Sequence, residues 1–222
     1  MAKAAYDISG AQVVAGRDYP IATTTAIVEG TFVKLSAGLV VQALVGETGA
    51  ILGIAAENHS GVADMLNVRS NGTKIRVFDS PSLVHRTTAP QATATGGSTT
   101  TMAASALASF ADDDFNGGVL KLISKVAAST NTDPIGTEYP ITDFTASSKT
   151  FTFASAGGAI TAGDVFAIFP PVGFAKGNLD SAFGKYDLTA TASLAIKTVG
   201  MDIKRNVVYT EATLHANGNK AS

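Results

Sequence analysis

The side chains able to do chemistry are few and far apart in this chain. Histidines stand at His59, His85 and His215, and none falls in an H-x-x-x-H or H-E-x-x-H frame that would bring two imidazoles to one metal. Nothing matches G-x-S-x-G, the strained turn that exposes a nucleophilic serine, nor the glycine loops G-x-x-x-x-G-K-[ST] and G-x-G-x-x-G that cradle phosphates. Gly46, Gly49 and Gly53 are spaced for turns rather than for a dinucleotide. One fragment looks metal-like: Asp112-Asp113-Asp114-Phe115-Asn116-Gly117 fits D-x-D-x-N-G, a spacing that converges the oxygens of Asp112, Asp114 and Asn116 on a hard cation such as calcium. Ile123 stands where such a loop supplies its bidentate glutamate, and residues 119–123 read as a strand, so an acidic turn is the favoured reading.

The remaining polar candidates are weaker. Asp79 with Glu57, and Asp164 with Asp180, have no sequence signal placing them in one cleft, and solvated surface is expected of them. Asn58-His59-Ser60 and Asn71-Gly72-Thr73 match the glycosylation sequon, but no secretory signal accompanies them. No catalytic residue and no cofactor is expected, and the chain is not expected to be an enzyme.

The elements that would position such residues are short. Residues 1–25 hold isolated apolar side chains, among them Tyr6, Ile8, Val13, Val14 and Tyr19, scattered through polar and small ones; this reads as an extended N-terminal arm unable to bury itself. Short β segments follow at 26–28, 32–35, 39–44, 51–56, 65–69 and 74–78. Asn71-Gly72 between two alternating runs predicts a type I′ hairpin turn, and Ser36-Ala37-Gly38 predicts another turn. Residues 87–101, rich in Thr, Ala and Gly, read as a loop or linker. Met102, Ala106 and Phe110 share one face at helical spacing, which predicts one short helix over 102–110. Further strands are expected at 119–126, 139–144, 149–153 and 165–169, then 186–194, 196–199, 206–209 and 211–215.

Composition bounds the answer from above. The 222 residues are 45% hydrophobic and only 15% charged, with mean hydropathy +0.23, which excludes intrinsic disorder. Sixteen Lys and Arg against 18 Asp and Glu give a net charge of 16 − 18 = −2, no footprint for a phosphate backbone, so nucleic acid is not an expected partner. Absence of cysteine removes disulfides, thiolate metal sites and thiol nucleophiles together. No run approaches the about 18 apolar residues of a membrane-spanning helix, and no membrane partner is expected. The fold class expected is mainly β: a small β-barrel or sandwich module over 26–83 and 173–222, with an inserted β-rich domain over 84–172.

Gly30-Thr31-Phe32-Val33-Lys34-Leu35, with Gly38, Val41 and Ala43, and then Gly53-Ile54-Ala55-Ala56-Glu57, resembles the small β-module of tailed-bacteriophage capsid decoration (cement) proteins. The phrase Ala162-Gly163-Asp164-Val165-Phe166-Ala167-Ile168-Phe169-Pro170-Pro171 is similar in flavour to phage structural proteins. The resemblance covers roughly residues 26–80, and the segment near 84–172 departs from the minimal module. It implies a virion protein made in the host cytoplasm and placed on the outer capsid surface. Its partners would be the major capsid protein and itself, as a homotrimer that clamps neighbouring coat subunits. Under that reading Tyr6, Ile8, Val13, Val14 and Tyr19 are the arm's coat-binding anchors, because an extended segment can add a strand to a coat-protein sheet edge. The alternatives are a tail-tube or head-tail connector component, which shares the composition, and a carbohydrate-binding β module, which the lack of Trp disfavours.

Overall fold

The computed structural model describes residues 3–7, 16–43, 51–61, 73–79, 83–175, 178–180, 185–188 and 196–212. The N-terminal third supplies β1 (Lys3–Asp7), β2 (Arg17–Pro20), β3 (Ala26–Ile27), β4 (Phe32–Ser36), β5 (Leu39–Gln42), β6 (Ile51–Ala55), β7 (His59–Ser60) and β8 (Lys74–Phe78). The middle supplies β9 (Leu83–Thr88), β10 (Gln91–Thr93), β11 (Gly96–Gly97), β12 (Thr101–Ala103), β13 (Val119–Ser124), β14 (Glu138–Thr145), β15 (Thr150–Phe153) and β16 (Val165–Phe169). The last four are β17 (Asn178–Asp180), β18 (Lys185–Asp187), β19 (Ile196–Asp202) and β20 (Val207–Ala212). The protein is all-β in its described residues.

Three antiparallel sheets make the body. The first runs β2-β8-β6-β4-β5, the second β10-β16-β13-β14-β15-β12-β11, and the third β1-β9-β20-β19. The first curls until Ile21, just beyond β2, makes one parallel bridge to Val40 of β5. A single bridge is not a ladder, so the architecture is sandwich-like and no barrel closes.

Alternation along the strands explains how the layers stack. β6 is buried along its whole length, which in an antiparallel sheet requires cover on both faces. Its Leu52 and Ala55 enter a core inside the curled first sheet, with Ile21, Ile27, Val33, Val40, Ile75 and Val77. Its Ile51 and Ile54, with Phe32 and Ala43, enter the main core that they share with the second sheet. β16 does the same one layer on: Phe166 and Ile168 point into the main core, Ala167 and Phe169 into a third core against Val208 of β20. The second sheet is thus the middle layer.

Phe115 is the hub of the main core. Its ring lies 5.0 Å from Phe110, 4.8 Å from Phe144, 5.2 Å from Phe151 and 5.0 Å from Phe174, mostly edge to face, the arrangement the ring quadrupole favours.

Two expectations are corrected. Residues 102–110 are not helical: Thr101–Ala103 is a strand paired with β15, Met102 opposite Phe151, and turns follow. A nine-residue helix has few bonds to offset its nucleation, whereas the edge of β15 offers paired backbone groups at once. Lys149 Nζ then caps the carbonyls of Ser105 and Leu107, holding the turns that bury Leu107 and Phe110. Residues 87–101 are not a linker either, since they hold the end of β9, β10, β11 and the start of β12, with Ala89, Ala92 and Ala94 buried. β10 and β11 are the two end strands of the second sheet.

The strands expected at 74–78 and 165–169 occur with those bounds. Ala37 and Gly38 both take positive φ, 49° and 78°, forming a two-residue turn between β4 and β5. The expected strand at 65–69 and the Asn71-Gly72 turn lie outside the described residues. Within the segments 26–83 and 173–222, β4, β5, β6 and β8 belong to the first sheet, β3 and β7 pair separately, and β19 and β20 belong to the third.

Candidate functional site

The glycine-punctuated motif of the first sheet is built from neighbouring strands. β4 and β6 pair antiparallel with Phe32 opposite Ile54 and Val33 opposite Gly53, so its two halves meet side by side. Two of its glycines have a structural reason: Gly30 sits at φ 82°, and a Cβ on Gly53 would collide with the Phe78 carbonyl of β8. Glu57, which ends the motif, accepts the Arg76 amide at 2.9 Å and ties the strand end to β8. The motif is a packing unit, and its exposed rim carries what sequence reading missed: Val28 is 56% exposed and Leu39 38%. Both flank the motif as apolar residues at turns, and only burial could separate them from core valines and leucines.

The described parts of residues 1–25 bond to their own chain. β1 lies antiparallel on β9, with Tyr6 opposite Val84 and a bulge between Ala4 and Tyr6. β1 is an end strand of the third sheet. β2 pairs with β8, and Tyr19 stands opposite Ile75, half-buried against the inner core of the first sheet. The Tyr19 hydroxyl donates to Asp79 Oδ2, which also meets Arg17 Nη2 at 2.5 Å. Burial first, and then that carboxylate, push the Tyr19 phenol up to about 12. Tyr19 is therefore a structural residue of the first sheet in the isolated chain. Ile8, Val13 and Val14 lie outside the described residues.

The acidic fragment is a set of turn caps. Asp112 Oδ1 accepts the Ala146 amide at 2.7 Å, Asp114 Oδ2 accepts the Ala111 amide at 2.7 Å, and Asn116 Nδ2 donates to Asp113 Oδ1 at 2.8 Å. Asn116 Oδ1 is buried without a partner. Asp143 of β14 hydrogen-bonds Asp113, which raises its carboxyl above the usual range. Among the described residues no group of three His, Cys, Asp or Glu is arranged to hold a metal ion. The turn that these carboxylates brace delivers Phe115 to the centre of the main core.

The other polar candidates do not converge. His59 is buried in β7, and its Nδ1 lies 2.6 Å from the Thr25 carbonyl, to which an Nδ1–H would donate. His85 falls in β9, and His215 lies outside the described residues. Asp164 is fully buried and accepts from the amides of Val126 and Thr161 and the hydroxyl of Ser129, at 3.1, 3.1 and 2.9 Å. Asp180 lies in β17, and Asp79 and Glu57 serve the separate contacts described above. Among the described residues no helix is long and apolar enough to cross a membrane. No known protein family, curated protein or solved structure shows a match to this chain.

Proposed function

We propose that this chain is a structural subunit that binds the outer surface of a tailed-phage capsid and stabilises it by bridging neighbouring coat subunits. The observation that carries the reading is the side-by-side pairing of Gly30–Leu35 and Gly53–Glu57 as one packed unit, because that string is the one resembling decoration proteins. An all-β body with low charge suits a lattice-bound subunit, whose protein-facing surfaces need few Lys and Glu. Many weak sites on one lattice add by avidity, so no single contact has to be tight.

In this reading the outer edge of β1 takes a coat strand, and the exposed Val28 and Leu39 of the first sheet's rim are separate apolar contacts. Main-chain bonds from an added coat strand would supply affinity at β1, and the apolar pair would supply complementarity. Co-sedimentation with shells of the cognate major capsid protein tests the proposal. Expanded shells should retain the chain as trimers and precursor shells should not; a monomer that ignores both defeats the reading. Rings formed by the isolated chain would favour a tail-tube or connector component instead.

A further inference from the structure

The third sheet meets the middle layer over a small seam. Among the described residues, Ala89, Ala167, Phe169 and Val208 are buried there, with the half-buried Val119, Ile123, Met201 and Ile203 packed against them, whereas the main core on the opposite face is built around Phe115 and its ring neighbours. Lys121 reaches across the seam. Leu120 and Leu122 of β13 point into the main core, so strand alternation turns Lys121 to the other face. Its Nζ donates to the carbonyls of Ile203 and Lys204 at 2.8 and 3.4 Å and to Asn206 Oδ1 at 2.9 Å, all in the turn between β19 and β20. A second tie lies in the segment after β16: the Gly173 amide donates to the Thr198 carbonyl at 2.7 Å, and the Thr198 amide to that of Phe174 at 2.8 Å.

We infer that Lys121 is a latch, and that the third sheet undocks from the middle layer as a unit when it opens. The physical basis is asymmetry between the two faces of β13. Opening the main core would strip a cluster of phenylalanines of their neighbours. Opening the seam exposes a smaller cluster with one aromatic ring, Phe169 with Val208, two alanines and the half-buried Val119, Ile123, Met201 and Ile203, while the ammonium and the turn carbonyls exchange each other for water. The moving sheet carries β1, so the latch would control how β1 is presented to a coat strand. That last consequence rests on the proposed function; the undocking does not.

Hydrogen exchange followed by mass spectrometry on the full chain tests this. Amides of β9, β19 and β20 should exchange together, at least about tenfold faster than those of β13, β14 and β15. Lys121→Met should speed the first group by about a further tenfold and leave β14 and β15 unchanged. Asn206→Gly keeps the left-handed backbone at φ 56° while removing one acceptor, so it should give a smaller change of the same sign. Equal protection of the two groups in the wild type overturns the inference. So does uniform acceleration, or none, in Asn206→Gly, which keeps the test decisive if Lys121→Met fails to fold. A wild type that shows the expected exchange pattern but binds no capsid shells would defeat the functional reading alone.

Discussion

Tyr139 shows how one buried polar group organises a loop. It is 3% exposed, its hydroxyl donates to Asp133 Oδ2 at 2.9 Å and accepts from Asn131 Nδ2 at 3.1 Å, and Asp133 Oδ2 also takes the Gly157 amide at 2.8 Å. Burial pushes its phenol from the ordinary 10.0 up to about 12. A raised folded-state value means the fold favours the neutral phenol. That contribution is complete below the unfolded value of 10.0 and is lost as pH climbs through about 12. Thermal melts across that window should therefore fall steeply in the wild type, and Tyr139→Phe should flatten part of the fall. At neutral pH the same variant should cost about 1–2 kcal/mol, since Asn131 and Asp133 lose a buried partner. An unchanged alkaline slope would mean Tyr139 does not carry it.

At the scale of elements, the strands that sit between two cores are the sensitive ones. Gly53 in β6 lies where a methyl group would meet the Phe78 carbonyl, with Leu52 and Ile54 committed to opposite faces. Gly53→Ala should thus part β6 from β8 and destabilise the chain by about 3 kcal/mol in urea titration. Ala at the Gly38 position meets no neighbouring atom, so only its φ of 78° is strained, and Gly38→Ala should cost about 1 kcal/mol. Equal effects at the two positions would contradict the sandwiched placement of β6. The alternating runs of β8 and β15, and the short apolar run of β16 closed by Pro170-Pro171, were legible in sequence because those signals are local. The apparent helix over 102–110 misled because Met102, Ala106 and Phe110 at helical spacing are also compatible with a strand followed by turns, and the open edge of β15 decided between them.

For the whole molecule, the arm divides at Gly16. A Cβ on Gly16 would collide with the Val77 carbonyl, and Arg17, Tyr19 and Asp79 interlock immediately beyond it. Removal of residues 1–7 should leave the melting temperature within a few degrees and abolish shell binding under the proposed function. Removal of residues 1–20 should unfold the first sheet, because it takes away β2 and the cover over Ile75 and Val77. Circular dichroism melts of the two truncations, beside shell co-sedimentation, separate the docking role of β1 from the structural role of β2. A melt that collapses on losing residues 1–7 alone would assign β1 to stability instead.

Composition, turn residues and two-residue alternation determined that this chain is a cysteine-free β protein of many short strands, because those signals act between neighbours along the chain. They also exposed the acidic fragment and the glycine motif as the places to look. Tertiary structure alone decided what each is for: the acidic turn braces Phe115 in the main core, Tyr19 belongs to the first sheet, and Lys121 spans a seam between layers. Each of those outcomes depends on a partner tens of residues away, Phe144 and Phe174, Asp79, and the turn before Asn206, and sequence spacing carries no record of which distant residues share a core.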